Sequence, residues 1–348
     1  MSLEGLTTIL RRSEALGAGK AISAVTSLLS DSVSLESKAN FLEALSAKGE
    51  TPEELAVFAR ELRKLAVDPK IRPEDVGGVI VDTCGTGGDN LNLFNISTAA
   101  ALVTASAGVA VAKHGNRAVT SACGSADVLE ALGIQIDLPP AEAKRSLIEN
   151  RFSFFFAPSY HPAFKKLAPV RKDLAQRGRR TIFNLLGPML NPAHPTGQVV
   201  GVYSQRLLET YAQALRQLGV GRALVVNGSG MDELTTTGTN LLAELKPNGD
   251  VKMRALDISL LGLKPAGVED LRGGSAKDNA AILETIFNGE DRGPRREVVL
   301  LNAAAAFIVA GRANSFIEGI KLAAAQIDSG AVVLLLEKLQ KFSSAVKR

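Results

Sequence analysis

The chain has 348 residues, of which 46% are hydrophobic and 22% charged, and its formal net charge is +4. This length and composition predict a globular protein of about two domains and exclude a disordered chain. Tryptophan is absent and aromatic residues make up 5% of the sequence, which argues against a surface that stacks nucleic-acid bases. The small positive charge suits an anionic small molecule.

The cysteine content and the hydropathy pattern predict a cytoplasmic protein without membrane contact. Cys84 and Cys123 are isolated thiols without metal-ligand spacing, which is typical of a reducing compartment. No N-terminal signal precedes the first helical pattern, and no charge-free run reaches about 18 apolar residues.

Residues 1 to about 74 carry a helical pattern. Thr51-Pro52-Glu53-Glu54 is a capping box with proline at the first helical position, and it opens an apolar helix over 55–62. Residues 70–75 are predicted to be a linker. The sequence therefore predicts a smaller, all-helical domain over 1–74.

From Val76 onward strands and helices alternate, which favours a largely parallel sheet. The predicted strands are 78–82, 108–112, 152–157, 199–202, 223–227 and 243–246. The predicted helices are 97–107, 125–132, 141–150, 205–218, 276–288, 297–310 and 315–339. We therefore expect an α/β domain over 75–348, with a mostly parallel central sheet flanked by helices.

The loop after the first predicted strand is rich in glycine. Gly85, Gly87 and Gly88 allow backbone N–H groups to turn towards an anion, and the loop leads into an apolar helix that begins near Asn95. Asn95, Ser97 and Thr98 can cap this helix, whose first turn has unpaired N–H groups. A phosphate site is one interpretation, and a tight strand–helix turn is the other.

A second glycine-containing turn follows the second predicted strand. Lys113 offers a point charge for a phosphate, Asn116 offers directional hydrogen bonds, and His114 lies between them. The small-residue loop 121–127 then opens another helix. Two such helix starts could hold the two ends of a polyphosphorylated ligand; the alternative is a solvated lysine and a structural histidine.

Two further segments carry charged groups suited to a substrate site. Asp232 and Glu233 follow the turn after the strand at 223–227, and on a loop both carboxylates can face one Mg²⁺ that bridges to phosphates. The alternative is a solvated acidic turn. Residues 157–192 contain Lys165, Lys166, Arg171, Lys172, Arg177, Arg179 and Arg180. One of these arginines can clamp a carboxylate, although most are expected to form a solvated helix face; a nucleic-acid surface lacks the interleaved aromatic residues it would need.

These motifs together resemble the anthranilate phosphoribosyltransferase family, and the likeness covers nearly the whole chain. It rests on GTGGD with FNIST, on KHGN, on HPAFKKLAPVRKDL, on NLLGP and on MDEL. The resemblance implies a nucleoside phosphorylase/phosphoribosyltransferase-like architecture, in which residues 170–192 join the helical domain in space. It also implies a homodimer formed through the helical domain, and transfer of the phosphoribosyl group from phosphoribosyl pyrophosphate to anthranilate, a step of tryptophan biosynthesis.

The resemblance also implies roles for individual residues. The positions for phosphoribosyl pyrophosphate are Gly85, Gly88, Asp89, Asn95, Ser97, Thr98, Lys113, His114, Gly115, Asn116, Ser121 and Ser125. The positions for Mg²⁺ are Ser97, Asp232 and Glu233. The positions for anthranilate are Asn116 and Arg171, with His114, His161 and Gly187 along its access route. No residue is assigned as a catalytic acid or base.

Four features depart from the family pattern. Asn90 replaces a usual glycine, Leu93 replaces a usual threonine, Cys123 replaces a common serine, and the segment 171–181 is about three residues longer. Three alternatives follow from the sequence. One is a divergent paralogue that uses another aromatic acceptor, and another is an enzyme similar to pyrimidine nucleoside phosphorylases. The third is a non-enzymatic relative that binds nucleic acid through its basic surface.

Overall fold

Four helices fill the N-terminal part of the chain in the computed structural model, which describes residues 1–88, 91–118 and 122–346. They are α1 (Leu3–Arg11), α2 (Ala18–Leu29), α3 (Leu35–Lys48) and α4 (Pro52–Arg63). The predicted capping box at the start of α4 is confirmed, because Glu54 N donates to Thr51 Oγ1 at 3.2 Å and Thr51 N donates to Glu54 Oε2 at 2.8 Å.

A single mixed sheet of seven strands forms the centre of the described part of the chain. The strands are β1 (Ile80–Gly85), β2 (Ala110–Gly115), β3 (Phe152–Phe156), β4 (Gly197–Gly201), β5 (Arg222–Gly228), β6 (Asn240–Leu245) and β7 (Val251–Leu256). Their order is β3-β2-β1-β4-β5-β6-β7. The first five strands in this order are parallel, β6 pairs antiparallel with β5, and β7 pairs antiparallel with β6. The predicted α/β fold with a mostly parallel sheet is confirmed.

The remaining helices flank the sheet or connect its strands. They are α5 (Ile96–Ser106), α6 (Ser125–Ala131), α7 (Pro140–Asn150), α8 (Ala157–Tyr160), α9 (Phe164–Gln176), α10 (Phe183–Leu186), α11 (Leu208–Gln217), α12 (Ala276–Phe287), α13 (Pro294–Val309), α14 (Phe316–Asp328) and α15 (Ala331–Val346). In the described ranges no single helix is long and apolar enough to cross a membrane. The pair α14 and α15 meets that length and composition only when both helices, bent by 63°, are taken together.

The strand β7 and the two C-terminal helices are among the elements that differ from the sequence-based expectation. The strand β7 was not predicted, because it pairs on one side only and most of its side chains are exposed, so the hydrophobic signal is weak. The predicted helix over 315–339 is wrong as a single element. It is interrupted between Asp328 and Ala331, where Gly330 has a φ of +74°, a left-handed conformation that helices do not continue through.

Two large apolar clusters cover the two faces of the sheet. One contains α5 and α13, which pack on β1 and β4. The other joins α1–α4 to α9, to Ile182–Leu190 and to apolar side chains of β4 and β5. Part of the segment 170–192 therefore shares a core with the N-terminal helices, whereas the boundary between two domains near residue 74 stays a prediction.

Candidate active site

The loops that carry the predicted site residues meet at one edge of the sheet. β1, β2, β4 and β5 run parallel, so their carboxyl ends lie together at this edge. The glycine loop leaves β1, the Lys113–Asn116 turn ends β2, and the turn with Asp232 and Glu233 follows β5. Such an edge is the common position of ligand sites in open α/β sheets.

Asp232 lies directly on the glycine loop. Gly87 N donates to Asp232 Oδ2 at 2.6 Å. Gly85 and Gly201 are paired neighbours on β1 and β4; a Cβ at Gly85 would overlap the Asp232 carboxylate, and a Cβ at Gly201 would overlap the Asp232 carbonyl oxygen. The glycines at these two positions are therefore required by the close approach of the acidic turn.

A small cavity of about 20 Å³ lies beside the acidic turn. Its polar lining includes Thr83, Ser97, Asp232, Glu233 and Asn302. This volume holds about one water molecule. No cluster of three or more His, Cys, Asp or Glu side chains suited to a metal occurs within the described residues. Two carboxylates and a hydroxyl fit a hard cation such as Mg²⁺, which takes few protein ligands and completes its shell with water and phosphate oxygens.

Lys113 is buried beneath the loop rather than extended into solvent. Its Nζ donates to the carbonyl oxygen of Thr83 at 2.6 Å and to Ser97 Oγ at 3.3 Å. Burial lowers the pKa of Lys113, while the nearby charges of Asp82 and Glu233 act in the opposite direction. The ammonium group therefore places positive charge behind Ser97, close to the carboxylates.

The start of α5 differs from the expected cap. Asn95 occupies the N-cap position, but its side chain does not cap the helix. Its Nδ2 donates to the carbonyl oxygen of Cys123 at 3.2 Å, and its Oδ1 accepts from Asn279 Nδ2 at 2.9 Å. The prediction of an Asn95 side-chain cap was wrong, because long-range partners occupy both amide atoms. Thr98 is fully buried, and Ser97 is half-buried next to Lys113.

The described ends of the loop between β2 and α6, called the second loop, lie in contact with each other. Ser125 Oγ donates to the carbonyl oxygen of Asn116 at 3.4 Å, and a Cβ at Gly115 would overlap Ser125 Oγ. Asp127 Oδ2 accepts from both Ala118 N and Gly124 N at 2.9 Å. The N–H group of Gly124 at the start of α6 is thus already paired, which reduces the anion-binding capacity expected of this helix start. The predicted residues Asp89 and Ser121, and the departure Asn90, lie outside the described residues.

His114 and His161 form a buried pair next to this loop. Their Nε2 atoms are 3.2 Å apart, and His114 Nδ1 is 3.2 Å from the carbonyl oxygen of Gly187. Burial lowers the pKa of His114 to about 3 and the pKa of His161 to about 4, so both rings are neutral at pH 7. A carbonyl oxygen only accepts hydrogen bonds, so His114 Nδ1 carries its proton and His161 Nε2 donates to His114 Nε2.

Among the described residues of α9, Arg171 is the cation that packs against aromatic rings. Its guanidinium carbon lies 5.4 Å from the Phe164 ring centroid and 5.7 Å from that of Phe183. It makes no ion pair within the described part of the chain, whereas Lys166 pairs with Asp31 and Arg177 pairs with Glu43 and Asp173. The two rings pack against the Arg171 guanidinium. No carboxylate of the described residues forms an ion pair with it.

Sequence reasoning missed Asp82, which organises the floor of the site. Asp82 is fully buried, its Oδ1 accepts from His114 N at 3.3 Å, and its Oδ2 accepts from Asn191 Nδ2 at 2.9 Å. Asn191 Nδ2 also donates to the carbonyl oxygen of Ala112 at 2.7 Å. The available signal was a lone acid inside an otherwise apolar strand directly before the glycine loop.

Comparison with known proteins gives one consistent result. The family model described as "Glycosyl transferase family, a/b domain" matches residues 77–333, and the model described as "Glycosyl transferase family, helical bundle domain" matches residues 5–66. The chain is 51% identical over 308 residues to the anthranilate phosphoribosyltransferase of Methanosarcina barkeri, covering 88% of this chain and 82% of that protein.

Solved structures of anthranilate phosphoribosyltransferases are also similar to this chain. The anthranilate phosphoribosyltransferase of Thermus thermophilus superposes with a TM-score of 0.89 at 42% identity, covering 97% of this chain and 99% of that one. The yeast enzyme from Saccharomyces cerevisiae in complex with PRPP and Mg superposes with a TM-score of 0.87 at 28% identity, covering 99% and 98%. The yeast enzyme in complex with 4-fluoroanthranilate superposes with a TM-score of 0.84 at 26% identity, covering 99% of both chains.

The buried Asp82 leads to a prediction about stability and pH. Burial raises the pKa of Asp82 from its ordinary value of 3.8 to about 6, so the folded protein retains a proton that the unfolded chain has lost. The protonated Asp82 carboxyl therefore contributes stability that is complete below about pH 4 and is lost as the pH rises through about 6. The free energy of unfolding of the wild type minus that of Asp82→Asn should fall by up to about 3 kcal/mol over this interval.

Urea unfolding at a series of pH values measures this difference. Asp250→Asn, in the exposed turn between β6 and β7, is the control for the removal of one surface carboxylate. A flat difference for Asp82→Asn would contradict the burial argument.

Proposed function

This chain belongs to the anthranilate phosphoribosyltransferase family, and we propose that it transfers the phosphoribosyl group of phosphoribosyl pyrophosphate to the amine of anthranilate at this edge of the sheet. The observation that carries the proposal is the contact between the glycine loop and the acidic turn above the buried Lys113. It brings backbone N–H groups, an ammonium group and two carboxylates to one place, and a magnesium-bound diphosphate requires that combination.

We propose that Asp232, Glu233 and Ser97 hold Mg²⁺. The support is that these three side chains line one cavity, and that a yeast relative has been solved in complex with PRPP and Mg. The ion would neutralise charge that develops on the departing pyrophosphate. Lys113 places its charge behind Ser97 and would stabilise the same anion from the protein interior.

The glycine loop would bind the donor through its backbone. Gly85 ends β1, Gly88 lies in the loop that follows, and Ser97 lies in the first turn of α5, where the helix dipole favours an anion. Gly115, Asn116 and Ser125 would border the donor from the second loop. The amine nitrogen would form a bond to ribose C1 as the bond from C1 to pyrophosphate breaks, and the proton that the nitrogen then loses would pass to solvent. Most of the rate enhancement would come from positioning and from electrostatic stabilisation of the leaving pyrophosphate.

Arg171 would bind the carboxylate of anthranilate, since its charge is not neutralised by an ion pair with a described residue. Asn116 is exposed at the adjoining loop and would contact the acceptor as well. The neutral pair His114 and His161, held to Gly187, would line the access route. His114 Nε2 already accepts a hydrogen bond from His161, so we assign no catalytic acid or base.

The domain division at residues 74 and 75, the homodimer through the helical domain and the cytoplasmic location stay predictions. So does the absence of nucleic-acid and membrane partners.

The acidic turn provides the first test of the proposal. Incubation with phosphoribosyl pyrophosphate, Mg²⁺ and anthranilate should consume anthranilate, followed by the loss of its fluorescence. In the double variant Asp232→Asn and Glu233→Gln, kcat/KM should fall at least about 100-fold, because the groups that compensate developing charge are removed.

Asp250→Asn is the control for the general loss of one carboxylate and should keep wild-type activity. Full activity of the double variant would refute the metal assignment. An inactive wild type under these conditions would refute the proposed reaction.

A second prediction concerns recognition of the acceptor. Arg171→Ala should raise KM for anthranilate at least about 10-fold, because a charge-assisted contact with its carboxylate is lost. KM for the donor should change much less. Lys172→Ala, the exposed neighbour on α9, is the matched control and should leave both constants unchanged. An unchanged KM for anthranilate in Arg171→Ala would show that another group binds the carboxylate.

A further inference from the structure

Arg180 contacts two loops of the site. It follows α9, which packs with α1–α4 in one core, and these five helices are called the helical bundle here. It lies between α9 and α10, where its Nη2 donates to the carbonyl oxygen of Gly88 at 2.6 Å. Its guanidinium carbon is 4.0 Å from the ring centroid of Tyr203, which follows β4. The same planar group therefore contacts the glycine loop and the loop at the end of β4.

The geometry at Gly88 fits this contact. Gly88 has a φ of +94°, and a Cβ there would lie 3.2 Å from Arg180 Nη2. A side chain at this position would be strained and would press against the guanidinium. The absence of a Cβ thus allows Arg180 to lie against the backbone of the loop.

The segment that carries Arg180 is fixed to the helical bundle. Arg177 Nη1 pairs with Glu43 Oε1 on α3 at 2.8 Å, and Arg179 Nε lies 3.9 Å from the same oxygen. Arg180, in contrast, makes no ion pair with any described residue; its partners are a carbonyl oxygen and an aromatic ring. Adjacent arginines therefore divide their contacts between the bundle and the glycine loop.

The glycine loop is consequently held from two sides by groups of opposite charge. Asp232 accepts from Gly87 N, and Arg180 donates to the carbonyl oxygen of Gly88. If Asp232 binds a metal, its carboxylate is shared between the metal and Gly87. The hydrogen bond from Arg180 to the Gly88 carbonyl oxygen does not involve Asp232, so it would be kept when a metal binds.

We propose that Arg180, stacked on Tyr203, is a positioning residue that fixes the Gly88 side of the glycine loop in the conformation that binds the diphosphate donor. The inference rests on the proposed function, because it assigns Arg180 to the donor rather than to the acceptor. A guanidinium is suited to this role because one planar group can donate hydrogen bonds at its edge while its face packs on a ring.

The test uses Arg180→Gln with Arg179→Gln as its matched control. The dissociation constant of phosphoribosyl pyrophosphate with Mg²⁺, measured by calorimetry, should rise about 10-fold in Arg180→Gln and less than about 2-fold in the control. KM for anthranilate should stay within about 2-fold in both variants. Hydrogen exchange of the Gly87 and Gly88 amides in the ligand-free protein should accelerate in Arg180→Gln only, and a merely structural change far from the loop would not produce this effect.

Two further variants separate the hydrogen bond from the stacking. Arg180→Lys retains a donor but not the planar face and should give an intermediate dissociation constant. Tyr203→Leu should resemble Arg180→Gln, whereas Tyr203→Phe should resemble the wild type. Tyr203→Leu also replaces Arg180→Gln as the test if the latter does not fold.

Three results would overturn the inference. The first is wild-type donor affinity and wild-type exchange in Arg180→Gln. The second is weaker donor binding with unchanged exchange, which would mean that Arg180 contacts the donor itself. The third is an effect on KM for anthranilate alone. An inactive wild type refutes the proposed reaction instead, and the exchange measurement still tests the contact with the loop.

Discussion

The site depends on one steric condition, which is the close approach of the turn with Asp232 to the ends of β1 and β4. Gly85 and Gly201 are neighbours in the sheet, and neither position has room for a Cβ beneath Asp232. This contact brings the Asp232 carboxylate within hydrogen-bond distance of Gly87 N. The glycines therefore do more than make a loop flexible: they determine where the carboxylates lie relative to the backbone N–H groups.

The charges of the site indicate that the proposed ligand would require a cation. Lys113 supplies one positive charge from below, but it is buried and already donates to the Thr83 carbonyl oxygen and to Ser97 Oγ. Asp232 and Glu233 would repel a diphosphate in the absence of a cation. A divalent ion held by these carboxylates would offset this repulsion, and the acidic turn and the glycine loop would then serve one function.

Sequence patterns predicted those parts of the site that depend on local order along the chain. The hydrophobic periodicity predicts a strand followed by a glycine loop and a helix. The acidic pair is predicted from its position after the strand β5. Hydrogen bonds between side chains far apart in the sequence could not be predicted from these patterns. Asn95 has the sequence signature of a cap, yet its amide pairs with Asn279 and Cys123, which the fold brings from 184 and 28 positions away. Asp82 was missed because burial, and not spacing, gives it its role.

The helical bundle contributes to the site through arginines that connect its helices to neighbouring segments of the site. Arg63 on α4 donates from Nε to the carbonyl oxygen of Met189 at 2.5 Å, and burial lowers its pKa to about 10. Met189 follows Gly187, the partner of His114, so α4 supports the segment that faces the proposed acceptor. Arg177 ties α9 to α3, and Arg180 reaches the glycine loop. Since the same bundle holds both segments, a shift of α9 would change the position of Arg171 and of the donor loop together.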